Sequence, residues 1–553
     1  MKRLPDRPHL DQLKKQAKDL LAAYKSGDPA AFARFREALP AAAARDDHDI
    51  GNLALRLHDA QSCVAREYGF TSWRELSSFV VARRAYSADH ARSVHNWLRL
   101  IYPGDISGGM DRASPAAAAR MLEEFPGLSA GDAYLACAIG DAAILGDRTA
   151  RDAEWVNRPG GPLNLPPLVA VTHSSLVRLP GFHHRLLAAA RLLLEAGADP
   201  DQAVGSRWPP ASLQQPSPTY RLSALYGAAG QNRDAELTAL LLDAGADPND
   251  GESLYHALES FVCTRLLLQA GAKVVGSNAL YRALDLDSIE VLQLLLASGA
   301  DPNEPATGGQ TAKWGTPLLW AIRRGRSAAH VEALLAAGAD PTARTPDGTS
   351  AYRLALQFGL TDVARLLNRM GGGEPLSEEE RFAAACAAGD EITARQIQSR
   401  RPDLPQALPE AQLRLLPELA ALGRGEAVKL MVRLGWPVAI RGGDWDASAL
   451  NHAVFRGDAG LARFLLEHGA SWKERHGFGD NACGTLSWAS FNEPEGTGDW
   501  LGCAEALVAH GMPAAYPDPQ GAGSVTINGQ SKRFSDEVTD FLLGASVEAR
   551  AGS

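Results

Sequence analysis

The chain has 553 residues, among which fourteen histidines and six cysteines are the groups best suited to metal binding, acid–base or nucleophilic chemistry. Their spacing argues against each of these uses. No H-E-x-x-H is present to bring two imidazoles to a metal on one helix turn, and the only adjacent pair, His183-His184, opens a helix. Cys63, Cys137, Cys263, Cys386, Cys483 and Cys503 are scattered without a C-x-x-C pair and mostly fall in apolar helical segments, as reduced, buried thiols do. No G-x-S-x-G elbow occurs, Gly521-Ala522-Gly523 lacks the third glycine and the flanking strand and helix of a nucleotide-binding loop, and Gly371-Gly372-Gly373 reads as a helix end. Lys14, Lys18 and Lys25 line one face of the first helix, but Asp11 and Asp19 between them make it a solvated face. The inventory implies no catalytic residue, no metal site and no cofactor, hence a protein that is not an enzyme.

The elements that position these residues come from an ordered chain, with 45% apolar and 22% charged residues. Its length exceeds what a single core usually serves. Charge is uneven: residues 1–85 hold 15 Lys and Arg against 11 Asp and Glu, and the remainder 40 against 54. An acidic array offers no basic stripe to displace counterions from nucleic acid, which excludes DNA and RNA as expected partners. No run of about 18 apolar residues exists, and MKRLPDRPHLDQLKK has no apolar stretch behind it. The expectation is a cytoplasmic protein without membrane contact.

One phrase, L-L-x-x-G-A-D-P, repeatedly closes an apolar helical run. It reads RLLLEAGADPD (191–201), ALLLDAGADPN (239–249), RLLLQAGAKVV (265–275), QLLLASGADPN (293–303), EALLAAGADPT (332–342) and RFLLEHGASWK (463–473), with weaker copies at 365–373, 429–439 and 505–515. The glycines, Gly197 through Gly511, keep a period near 33, and one gap of 64 fits a hidden unit at 379–404. Leucines on one face need a neighbour to cover them, glycine ends the helix in the left-handed region, and Asp-Pro prevents its continuation. A second phrase opens the partner helix: SALYGAAG (223–230), ALYRALDL (279–286), TPLLWAIRRG (316–325), SAYRLALQFG (350–359) and SALNHAVFRG (448–457). Thr316 is placed to cap its helix, with Pro317 at the first position.

These two phrases resemble the ankyrin repeat, most closely at residues 316–348, and the resemblance spans roughly 160–515. Its histidine position is occupied here by Tyr226, Tyr255, Tyr281, Leu319, Arg353 or Asn451. Residues 1–86 predict four helices, 8–26, 29–39, 57–68 and 72–86, with Ser72 and Glu75 as a capping box. LDQLKKQAKDLL and AREYGFTSWREL are similar to a small helical region that precedes ankyrin repeats in many bacterial proteins, a resemblance that implies no activity. Residues 87–160 read as diverged repeats and 516–553 as a closing helix and tail. The expected fold is therefore all-α: an ankyrin solenoid of helix-turn-helix units with hairpin-like turns, behind a small helical N-terminal region.

What the resemblance implies is a scaffold that binds a protein partner through its concave face and turns. Enlarged turns carry aromatics that no core requires: Trp208, Tyr220 and Arg221 in 201–222, Trp314 in 302–315, Trp472 and Phe478 in 471–484, and Trp445 in 437–447. The position after the histidine site holds His256, Arg282, Trp320 and His452. Trp and Arg dominate interface hot spots, so these residues are the candidate contacts. Two other readings stay open: an enzyme or effector whose chemistry sits in residues 1–86, and a small-molecule or peptide sensor with a pocket beneath the enlarged turns.

Overall fold

The computed structural model describes residues 2–5, 7–306, 315–494, 497–513, 515–518 and 524–551. Trp314 and the Gly521–Gly523 segment lie outside them. The chain divides into two compact units, Met1–Arg282 and Ala283–Ser553. It is mostly helical, at 57%.

The first unit begins with helices Leu10–Lys25, Pro29–Ala38, Leu57–Glu67 and Trp73–Ala85, close to the expected spans, plus a short turn Asp47–Gly51. Leu13, Ala17, Leu20 and Tyr24 form the buried stripe of the first helix, with the Tyr24 ring edge-on to Phe32 and Phe35. The capping box is only half made. Ser72 Oγ accepts from Glu75 N at 3.3 Å, while the buried Glu75 carboxylate accepts from Ala117 N at 2.9 Å, at the start of helix Pro115–Glu124. A buried N–H without a partner costs more than an exposed one, so the carboxylate ties this region to the next helix. Helices continue in that manner, and the helical region ahead of the repeats extends over roughly 200 residues rather than the small 86-residue segment expected.

The repeat phrase behaves as its chemistry requires. All nine glycines, Gly197, Gly245, Gly271, Gly299, Gly338, Gly371, Gly435, Gly469 and Gly511, have φ between +85° and +98°. The residue after each donates to a carbonyl five positions back, for example Ala246 N to Leu241 O and Ala339 N to Leu334 O, which closes a Schellman turn. Asp199, Asp247, Asp301 and Asp340 then accept from the backbone two residues on. The next polar residue reaches the neighbouring turn: Asp201 accepts from Asp247 N, Asn249 from Lys273 N and Asn303 from Asp340 N, at 2.7 to 2.9 Å. Neighbouring units are thus linked through side chains as well as through buried leucines such as Leu193, Leu241, Leu267, Leu295 and Leu334, each fully buried.

Three expectations are corrected. Thr316 makes no capping bond, and its buried hydroxyl finds no partner among the described residues, so Pro317 rather than Thr316 starts that helix. The fold is not purely helical: Ala203–Gly205 pairs with Arg221–Ser223, and Arg441–Gly442 with Ala447–Ser448, as antiparallel hairpins. Finally, the C-terminal stretch is more than a helix and tail, since strands Tyr516–Pro517, Val525–Ile527 and Gln530–Lys532 form a small antiparallel sheet before helix Asp536–Ala551. The hidden unit at 379–404 is a helix pair, Glu378–Ala388 and Glu391–Arg400, started by a Ser377–Glu380 capping box.

Candidate recognition cleft

The enlarged turn at 201–222 builds a concavity in the first unit. Between its two strands the chain folds back on itself: Ser217 N donates to Ser206 O at 2.7 Å and Ser206 N to Tyr220 O at 2.8 Å. That crossing requires Gly205, where an added Cβ would lie 2.2 Å from the Ser217 carbonyl oxygen. Pro209, Pro210, Pro216 and Pro218 stiffen the loop before anything binds. Arg207 fastens it from below. Its backbone N–H donates to Asp105 O at 2.8 Å, and its guanidinium, 1% exposed, reaches the carbonyls of Ile106 and Asn164. Burial lowers its pKa to about 10, which leaves it protonated at neutral pH.

A cleft of about 760 Å³ results, lined by Asp105, Trp208, Pro210, Gln215, Ser217 and Tyr220 among others. Trp208 is 50% and Tyr220 41% exposed at its edge. The Tyr220 hydroxyl donates to Glu252 at 2.8 Å, and the same carboxylate lies 3.2 Å from His256 Nε2. Asp105 Oδ1 is sealed from solvent without a hydrogen-bond partner, and no Asp105 ion pair occurs among the described residues. Burial holds this carboxyl above its ordinary range.

Behind Asp105, segment Tyr226–Asn232 is wound as a π-helix, a winding common at functional sites. It packs on His173, which is wholly buried, with Nε2 2.9 Å from Ser223 O and Nδ1 2.7 Å from Gln231 Oε1. Burial lowers the His173 pKa. Gly227 admits the ring, since a Cβ there would stand 2.5 Å from His173 Cδ2. Burial, and then the Asp105 charge, push the Tyr226 hydroxyl up. This layer supports the cleft from within rather than reaching a ligand.

The other candidates divide by exposure. Arg221 is exposed, with its guanidinium donating to Ala203 O at 3.0 Å; Arg282 is half-buried and paired with Glu259 at 3.3 Å. In the second unit Phe478 is 82% exposed and Trp445 half-buried, but Trp320, His452 and Trp472 are only 1%, 3% and 7% exposed. These three do not stand free for a partner as expected. Trp320 donates to Asp285 at 3.1 Å beneath the Arg324 guanidinium, 4.3 Å from its ring centroid. Arg324 binds Asp285 and Asp444 at 2.8 and 2.9 Å, and the buried Arg323 pairs with Asp444 at 3.0 Å and with Glu418. His452 meets Gly442 O at 3.2 Å and the edge of Trp445, and burial lowers its pKa to about 4.

Sequence reasoning missed Asp105, because GDIS lies outside the repeat and nothing local marks it. It also missed Trp488 and Phe491, 53% and 49% exposed, of which Trp488 stacks on Phe455. They lie on helix Ala482–Asn492, outside the enlarged turns from which the candidates were drawn. Asp46, His48 and Asp49 bring possible metal ligands within 4.8 Å of one another, but they are exposed and Asp46 already caps its helix through Asp49 N. No described helix is long and apolar enough to cross a membrane.

With glycine-ended helix pairs and hairpin turns in place, the comparison with known families is specific. Residues 225–306 match the model for ankyrin repeats, in three copies. This stretch is similar to an array of ankyrin repeats. No curated protein matches the chain. Among solved structures, the human ASB11 ankyrin repeat domain is similar at 21% identity, covering 43% of this chain and 99% of that one with a TM-score of 0.21. The ankyrin segment begins just beyond the 201–222 loop, so the cleft is formed where the long helical region gives way to the repeats.

Proposed function

We propose that this protein is a binding scaffold for a protein partner, recognised through enlarged turns rather than through catalysis. The observation that carries the reading is the rigid 206–220 loop, which holds Trp208 and Tyr220 half-exposed at the edge of a cleft large enough for several side chains. Ankyrin repeats support a protein partner, and the exposed Phe478 extends the same logic to the second unit. The groups best suited to chemistry point away from an enzyme. His173 and the six cysteines are buried, and burial pushes the thiols of Cys63 and Cys386 up to about 12. We place the protein in the cytosol, where such thiols stay reduced.

The test is quantitative affinity capture from the native cell with the full chain, comparing wild type with Trp208→Ala/Tyr220→Ala and, separately, Phe478→Ala. Partners retained by wild type and lost from the double variant, with thermal unfolding unchanged, are the expected result. An identical capture profile in all three proteins would remove the turns from recognition. Turnover of a substrate by the full chain that these substitutions leave intact would replace the scaffold reading with an enzymatic one.

A further inference from the structure

The cleft has an electrostatic character that the aromatic edge alone does not explain. Asp105 lines it, with Oδ1 sealed from solvent and the carboxyl hydrogen-bonded by Tyr226 and the Ile106 N–H, so that only its part facing the cleft can meet a ligand, and no cation lies within ion-pair distance among the described residues. At the cleft edge Glu252 accepts from the Tyr220 hydroxyl at 2.8 Å and lies 3.2 Å from His256 Nε2. The arginines of the loop do not neutralise them: Arg207 is turned to the carbonyls of Ile106 and Asn164, and Arg221 to that of Ala203. A carboxylate removed from water without a counter-charge is costly, and a ligand cation entering from the cleft relieves that cost. The electron-rich faces of Trp208 and Tyr220 add attraction for the same charge.

Resting on the scaffold reading, we propose that the cleft recognises a basic side chain, arginine or lysine, in an extended segment of the partner, with Asp105 as the carboxylate that receives its charge. Arginine fits especially well, because its planar guanidinium can bond a carboxylate and lie against an aromatic ring at once. The rigid proline-rich loop limits the ordering entropy lost when such a segment docks. The hydroxyls of Ser206 and Ser217 accept from Trp208 N at 3.3 Å and Tyr220 N at 3.0 Å and so hold the two aromatics in place at the cleft.

The probe is a peptide library with one position fixed as Arg, Lys, Gln or Glu and the flanking positions randomised, retained on the full chain at constant ionic strength. Wild type should retain the Arg and Lys pools about tenfold more than the Gln pool, with the Glu pool lowest. Asp105→Asn should erase that preference, and Trp208→Ala, a substitution at an exposed ring, should weaken retention of all pools. Equal retention of the four pools, or a preference that survives in Asp105→Asn, would overturn the assignment. Retention that depends on Trp208 but ignores charge would sink this inference and leave the scaffold standing. Argininamide alone binding as tightly as the peptides would also overturn it, in favour of a small ammonium ligand. Circular dichroism melts of each variant guard against loss of the fold, and argininamide competition on wild type tests the charge without any substitution.

Discussion

Asp105 in the first unit and Glu418 with Asp444 in the second are sunken carboxylates with arginines and histidines close by, and they end in opposite conditions. Glu418 and Asp444 are met by Arg323 and Arg324, supplied by the repeat helix Pro317–Arg323 and the residue after it. Asp105 forms no ion pair among the described residues, with His173 and His256 acting on it only from further off. The difference lies in the turns. The hairpin at 441–448 is short, so Asp444 lies within reach of the helices and its charge is consumed internally. The turn at 201–222 is long, and its two arginines, Arg207 and Arg221, are spent on carbonyls that hold the loop in place. The short turn thus pairs its own carboxylate with arginines, whereas the long one brings no cation to the carboxylate it covers.

The largest effect that tests this contrast is expected at Arg323. Truncation to Ala leaves the buried Glu418 without its arginine, while Asp444 keeps Arg324, and should destabilise the second unit by about 3–5 kcal/mol. Hydrogen exchange in helices Pro317–Arg323 and Leu415–Ala421 reads it locally, which matters in a chain of two units that need not unfold together. Unaltered exchange would assign the strength of that layer to apolar packing alone.

The tryptophans give the next contrast. Trp320→Ala should cost about 3–5 kcal/mol through the cavity it leaves and the Asp285 bond it breaks, whereas Trp208→Ala should change stability by less than ~1 kcal/mol. Denaturant titrations of the two variants check it, and similar losses would mean that the loop around Trp208 is part of the core.

His452 provides a dependence on pH. Its folded-state pKa of about 4 lies below the usual 6.5, so as pH falls through that interval the unfolded chain takes up the proton first and stability is lost. The loss should approach about 3 kcal/mol at pH 4 and be absent above pH 7. Arg323, Asp444 and Arg456 also act on this ring, so the diagnostic quantity is the difference from His452→Gln, whose slope across the interval should be shallower. Parallel slopes would assign the acid sensitivity to other groups.

The smallest effect is expected at Asp105. Its folded-state pKa is raised above the unfolded value of 3.8, so ionisation at neutral pH costs the folded state stability. Asp105→Asn should leave the first unit within ~1 kcal/mol of wild type or somewhat above it at pH 7, and any gain should vanish below pH 3.8. Clear destabilisation at pH 7, read by thermal melts, would make Asp105 a structural residue and end the comparison with Arg323.

The repeat phrase determined a good deal by itself. A glycine closing an apolar helical run ends it in the left-handed region, and all nine do so, including Gly435 and Gly511 where the paired leucines have diverged, because that constraint is local to five or six residues. The first four helices were legible for the same reason, from stripes such as Leu13, Ala17 and Leu20. The exposed edges at Trp208, Tyr220 and Phe478 followed from their place in long turns. Tertiary structure decided the rest. Whether Trp320 and His452 face outward depends on what the neighbouring turn places over them, and their own helix pattern carries no information about that. Asp105 and Trp208 lie 103 positions apart in the chain, and only the docking of the 206–220 loop through Arg207 brings both to one cleft. The half-made capping box at Ser72 follows the same rule: Glu75 had a local partner available, and a buried N–H on a later helix claimed it. Local conformational limits can be read from residue types, whereas the satisfaction of buried charge and hydrogen bonds is settled between segments that the chain keeps far apart.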